Sequence, residues 1–314
     1  MTEAAQAAAD PTEAQIMGLP GVRSRDLQVV EHVRTRHGGV FRLAGPSGSY
    51  LLKAVDAGKA RKDWVRPLRR AQTIAGEIRA MRALNGVIGG HFVDGGRAGG
   101  VTWLLQRWID GESAFDLAKR HRATRDLMPL LKLYAVQADL VAHVHEAGWL
   151  HCDLQPMHFF HRPDEGVSLI DLGLARRQGD RATPFRGQLV HYASPEVARG
   201  VLNGVSQIPV DVRAEIYSFG AVLFVMHCGR TPTNYGGEAS KVPSTEKMKR
   251  IVSGFHNKLA TYGGRSLDVN EIIEQCLRRD PAERPASMRE VADRLAAIVM
   301  RRRTMPSARG RAQQ

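Results

Sequence analysis

The sequence has 314 residues, 43% of them hydrophobic and 25% charged, which is enough to bury a core. It has no apolar run of the eighteen or so residues that a membrane span needs, and its opening, MTEAAQAAAD, lacks the basic and apolar regions of a signal peptide. A net charge of +13 favours nucleotides, acidic peptides or other polyanions without choosing among them. Cys152, Cys228 and Cys276 are too scattered for a disulfide framework or a zinc site, so the expected location is the reducing cytoplasm.

Residues 1–20 lack periodicity and read as a disordered tail. Leu27 to Val33, Gly39 to Ala44 and Tyr50 to Val55 then suit three strands of a small antiparallel sheet. A helix with Ile74, Ile78, Met81 and Leu84 on one face follows, and Val101 to Ile109 reads as another strand. Beyond Gly111 the pattern is mostly helical. Leu127 to Ala147 forms a long amphipathic helix stopped by Gly148. Glu215 to His227 is apolar enough for a buried central helix, closed by Cys228-Gly229. Ser287 with Glu290 predicts a capping box before a helix from Val291 to Met300, and the arginine-rich remainder reads as unstructured. The expected organisation is a tail (1–20), a β-rich part (21–110), a helical part (111–300) and a basic tail (301–314).

Chemistry is concentrated in Leu150-His151-Cys152-Asp153-Leu154-Gln155-Pro156-Met157-His158-Phe159-Phe160 and Leu169-Ile170-Asp171-Leu172-Gly173-Leu174-Ala175. Two carboxylates, Asp153 and Asp171, stand eighteen positions apart, each where an apolar run gives way to a polar turn. Phosphoryl transfer needs such a pair, because its work is positioning and charge neutralisation. These segments resemble the eukaryotic-type protein kinase family, whose catalytic loop reads H-R-D-x-x-x-x-N and whose metal loop reads D-F-G. The resemblance runs from about Leu27 to Met300. It implies an α+β, two-lobed protein-kinase-like fold with a small β-rich N-lobe and a larger helical C-lobe.

On that resemblance, Lys53 in Tyr50-Leu51-Leu52-Lys53-Ala54-Val55 is the strand lysine for the α- and β-phosphates of ATP, and Glu77 is its helical partner. Asp153 is the catalytic base and Asp171 the magnesium ligand. Gln155 stands where protein-serine/threonine kinases carry a lysine that steadies the γ-phosphate. Of the glycine-rich loop only Gly38 matches, beside Arg36 and His37. Trp103 to Gly111 is similar to the adenine-cupping hinge, with Ile109 at the backbone contact. His158 replaces the metal-binding Asn, a spacing similar to that of bacterial lipopolysaccharide kinases. Magnesium prefers oxygen, so His158 implies a weakened second metal site, tolerance of manganese, or a hydrogen bond to Asp153. Cys152 replaces the arginine that reads a phosphorylated activation loop, which argues against phosphorylation there as the on-switch.

Tyr192-Ala193-Ser194-Pro195-Glu196 is similar to the A-P-E segment, with Arg284 as its ion-pair partner, and Glu215 replaces the Asp that braces the catalytic loop. Gly187 to Val190 lacks the threonine that protein kinases place beside the substrate. The implied function is transfer of the γ-phosphoryl group to a hydroxyl, foremost Ser or Thr of a protein or biosynthetic precursor peptide. A small-molecule or sugar acceptor and a pseudokinase binding module stay open. The basic insertion at residues 59–70 (Lys59, Arg61, Lys62, Arg66, Arg69, Arg70) could dock an acidic peptide or protein, and nucleic acid is not an expected partner.

Overall fold

The structure is a computed structural model that describes residues 10–35, 38–58, 65–124, 126–163, 166–181, 189–254, 256–259 and 267–304. Backbone contacts divide the chain into two compact units. The first runs to Asp110 and includes Asp171–Ala175; the second holds Gly111–Ile170 and everything from Arg176 onward.

Alternation of apolar and polar residues builds the first unit. Strands β1 (Gln28–Thr35), β2 (Gly38–Gly45), β3 (Gly48–Asp56), β4 (Phe92–Ala98) and β5 (Val101–Arg107) form one antiparallel sheet in the order β1-β2-β3-β5-β4. The β4 strand carries Gly95-Gly96 in its middle, a composition that hides a strand from propensity reasoning. On β3, Tyr50, Leu52 and Ala54 turn one way into a core shared with Phe41, Leu43, Trp103 and Leu105. With a side-chain period of two, Lys53 falls on the other face.

The same core takes in Ile16, Leu19 and Val22, so residues 13–20 belong to the fold and not to the expected tail, of which residues 1–9 lie outside the described residues. Two short helices, Glu13–Met17 and Pro20–Arg23, carry these residues. Thr12 and Gln15 form a capping box on the first, and Pro20 begins the second. Gln15 also donates to Asp56 at the end of β3, at 2.7 Å. The second helix lies so close to the sheet that a Cβ on Gly21 would come within 2.6 Å of the Trp103 ring. Helices this short give no periodic signal, but Thr12-x-x-Gln15 was readable as a helix start. Leu19 is 2% exposed. Leu19→Ala is therefore expected to destabilise the protein by about 2–5 kcal/mol, measured by denaturant unfolding. A change below about 0.5 kcal/mol would return the segment to a tail.

Apolar helices dominate the second unit. Val212–Cys228 is buried from Ala214 to His227 and ends at Gly229, which takes a left-handed φ of 70°. Leu127–Glu146, capped by Asp126, packs against Met288–Thr304. It is long and apolar enough to cross a membrane, but most of it is buried inside the unit. Arg289 joins the two helices, reaching Asp139 at 2.6 Å and Glu146 at 2.8 Å. The last helix runs through Thr304, past the Arg301 boundary expected for the basic tail. Arg301 reaches Asp268 at 3.3 Å, which helps hold that turn. Its start also departs from an ideal capping box: Ser287 accepts from Glu290 N–H, but the Glu290 carboxylate accepts from Ala286 N–H.

Short strands frame the loops of this unit. β6 (Glu112–Ser113), β8 (Phe159–Arg162) and β9 (Gly166–Leu169) form one small sheet, while β7 (Trp149–Leu150) pairs with β10 (Arg176–Arg177).

Candidate active site

In the first unit, β3 presents Lys53 and the helix Val65–Leu84 presents Glu77. That helix buries Ile74, Ile78, Met81 and Leu84, and this fixes the direction of Glu77, itself 2% exposed. Lys53 Nζ lies 2.7 Å from Glu77 Oε1 and 3.1 Å from Asp171 Oδ1. Burial alone would lower the Lys53 pKa, but Glu77 and Asp171 outweigh it and hold the ammonium above the usual lysine range. Lys53 is a fixed cation.

Asp171 has a left-handed φ of 61°, which Asp tolerates, and it begins the tight turn Leu172–Leu174. A Cβ on Gly173 would stand 2.8 Å from the Thr73 methyl, so glycine there lets the turn lie against the helix. The Asp171 side chain is 48% exposed. Two carboxylates facing one ammonium leave local negative charge and an accessible hard oxygen, which suits a hard divalent cation.

In the second unit, Glu215 organises the loop around Asp153. Its buried carboxylate accepts from His151 N–H at 3.0 Å, Cys152 N–H at 2.5 Å and His145 Nε2 at 2.7 Å. Burial would raise the Glu215 pKa, but the His145 bond and the loop N–H donors hold it below the usual range. These bonds pin Cys152 in a left-handed conformation, φ 63°. Burial pushes the Cys152 thiol far above its normal pKa, with Glu215 adding to the shift, so it is no nucleophile.

Asp153 then leaves the turn with its carboxylate held at both oxygens. Oδ1 accepts from Leu189 N–H at 3.2 Å and Oδ2 from the Gln155 amide at 3.3 Å. Its own N–H donates to His151 Nδ1 at 3.2 Å, so the His151 proton sits on Nε2 and is donated to Ile170 O at 3.0 Å. His158 Nδ1 lies 2.9 Å from the Asp153 carbonyl, which can only accept, so Nδ1 carries a proton. Of the two roles open to His158, a hydrogen bond to Asp153 is present, and it goes to the backbone rather than the carboxylate.

The structure thus gathers Lys53, Glu77 and Asp171 in one unit, and Asp153, Gln155 and His158 in the other. Asp171 and His158 belong to different units, and the described residues contain no group of three or more potential metal ligands. Gly38 opens β2, and Ile109 follows β5, half-buried. Arg36, His37, residues 59–64 and Thr183 lie outside the described residues. The A-P-E pair is made: Arg284 grips Glu196 through two nitrogens, at 2.7 and 2.8 Å.

Two contributors escaped the sequence reading. The Leu189 N–H is a backbone donor and leaves no trace in residue type. His145 had a signal, as a histidine in the last turn of the helix Leu127–Glu146, but nothing in the sequence pairs it with Glu215.

The family model of the protein kinase domain matches residues 49–295. The chain is similar to the serine/threonine-protein kinase pkn2 of Myxococcus xanthus, 27% identical over 82% of this chain and 32% of that protein. A probable serine/threonine-protein kinase of Clostridium acetobutylicum is 26% identical over 66% of this chain and 30% of its own length. The serine/threonine-protein kinase PknJ of Mycobacterium bovis is 28% identical over 65% of this chain and 34% of its own. The chain spans about a third of the length of these curated relatives.

Proposed function

The chain belongs to the protein kinase domain family, and from that premise we propose that it transfers the γ-phosphoryl group of ATP to a Ser or Thr hydroxyl of a protein or biosynthetic precursor peptide. Membership makes it a protein-kinase-like phosphotransferase and implies use of ATP and a divalent metal. The observation that most supports an active enzyme is the Lys53 ammonium held between Glu77 and Asp171. A cation fixed in this way is ready to meet the α- and β-phosphates. Asp171 would hold magnesium, which when bound neutralises charge on the β- and γ-phosphates; His158 is a poorer match for that ion. Gly38 and Ile109 are assigned to the nucleotide on the family pattern alone.

Asp153 is assigned to the acceptor hydroxyl, as the group that orients it and takes its proton. Both carboxylate oxygens already accept hydrogen bonds, which fixes the orientation before substrate arrives. Gln155 supplies a neutral donor where a charged one is usual. A cytoplasmic location belongs to the same proposal, on three free cysteines. Charge alone supports residues 59–70 as a dock for an acidic partner.

The departure at His158 favours the runner-up, a small-molecule hydroxyl as acceptor. Thermal stabilisation by ATP that needs magnesium, followed by γ-phosphate transfer to peptide and sugar panels, separates the readings. Peptide phosphorylation supports the proposal and sugar phosphorylation the runner-up. Stabilisation with no transfer to any acceptor identifies a pseudokinase.

His158→Asn gives a separate test of the odd loop. An Asn amide can replace the Nδ1–H donor to the Asp153 carbonyl, and its oxygen is the harder ligand. The variant is expected to keep or gain magnesium-supported rate and to lower the manganese-to-magnesium rate ratio. A loss of about tenfold or more with both metals, about 1.4 kcal/mol, would instead place the imidazole on substrate.

A further inference from the structure

The second unit carries a half-buried cation with no carboxylate on it. Lys247, on the helix Ser244–Ser253, lies 6.0 Å from the centre of the Tyr235 ring, within cation–π range. No ion pair among the described residues uses it, and its neighbour Glu246 is taken by Arg250 at 3.3 Å.

Tyr235 links this cation to a second polar group. Its hydroxyl lies 3.1 Å from His191 Nδ1. When the tyrosine hydroxyl donates to Nδ1, the proton of neutral His191 sits on Nε2. Burial pushes Tyr235 up to about 12, so it keeps its proton. Burial, with Lys247 nearby, pushes His191 below the ordinary histidine range, so the ring is neutral at pH 7. The cluster therefore offers an ammonium and an imidazole N–H. Such a pair suits an anion, to which both can donate charge-assisted hydrogen bonds.

Its position ties it to the acceptor. Leu189, whose N–H holds Asp153 Oδ1, is followed by the tight turn Val190–Tyr192, closed by Tyr192 N–H on Leu189 O at 3.0 Å. His191 is thus two residues from the residue that touches Asp153, at most about 7 Å of chain. An extended peptide advances about 3.3 Å per residue. Side chains within about three residues of a hydroxyl on Asp153 come into range of the cluster.

We propose that Lys247 and His191, joined through Tyr235, form a subsite that selects acceptor peptides carrying a carboxylate or phosphate side chain within about three residues of the hydroxyl. The proposal rests on the peptide-phosphorylating reading above and names its substrate class. Neither residue is among those the sequence marked for phosphoryl transfer.

The test uses matched Ser peptides with Glu, phosphoserine, Gln or Lys at each of the three positions on either side of the acceptor. For the full chain, kcat/KM is expected to favour Glu over Gln by about tenfold at one position, about 1.4 kcal/mol. Lys247→Met, which keeps packing on Tyr235 and removes the charge, should bring that ratio near one. Lys247→Glu should turn the preference toward the Lys peptide, and His191→Phe should lower the Glu ratio by a smaller factor. A phosphoserine preference without a Glu preference assigns the subsite to phosphate. No anion preference in the wild type, or one that survives both Lys247 variants in folded protein, overturns the subsite while leaving the kinase reading intact. If no peptide is phosphorylated, the peptide-kinase reading fails, and peptide binding by fluorescence anisotropy decides the subsite alone. A Glu-over-Gln affinity ratio lost in Lys247→Met upholds it, and equal affinities overturn it.

Discussion

Asp153→Asn is expected to slow phosphoryl transfer by about 10³-fold or more, several kcal/mol of transition-state stabilisation, while leaving ATP affinity nearly unchanged. The substitution keeps the shape of the side chain but replaces one acceptor oxygen with an NH2 group. Leu189 N–H and the Gln155 amide both donate to this carboxylate, so one of them loses its acceptor. More important, an amide cannot take the hydroxyl proton. The brace from Glu215 reaches His151 and Cys152 through their backbone N–H groups, so the loop should keep its conformation. A melting temperature close to wild type beside a lost rate separates this outcome from simple unfolding.

Asp171→Asn should differ in kind. Asn tolerates the left-handed conformation at this position, and its oxygen can still accept from Lys53, so the turn Leu172–Leu174 should persist. The negative charge is lost. Magnesium-dependent ATP binding should weaken together with the rate, again by about 10³-fold or more in kcat/KM. Lys53 keeps Glu77 at 2.7 Å, so binding of ATP without metal should change little. Equal ATP–magnesium affinity in the variant and the wild type would remove Asp171 from the metal site.

The sequence was most legible where local pattern and chemistry coincide. Lys53 lies in an alternating strand, and its turn toward Glu77 follows from the period of two on β3 and the apolar face of the helix Val65–Leu84. Arg284 with Glu196, and Glu215 beneath the Asp153 loop, were legible from short motifs. What escaped depends on long-range contact or on backbone. The helices at Glu13–Met17 and Pro20–Arg23 exist because Ile16, Leu19 and Val22 meet a sheet core made by strands further along the chain. The Leu189 N–H on Asp153 is a backbone donor with no residue signature. For His158 the tautomer decides the role, and that follows from the carbonyl it faces, which no spacing rule contains.

Asp153 is proposed to act on an acceptor hydroxyl in an active phosphotransferase. The most direct test of this role is single-turnover transfer of labelled γ-phosphate from saturating ATP–magnesium to a Ser or Thr peptide, with wild type and Asp153→Asn compared at equal nucleotide occupancy. The wild type is expected to transfer phosphate to the hydroxyl, and the variant to do so at a rate lower by about 10³-fold or more. Equal transfer by both proteins, or nucleotide bound by both with no transfer by either, would contradict this role.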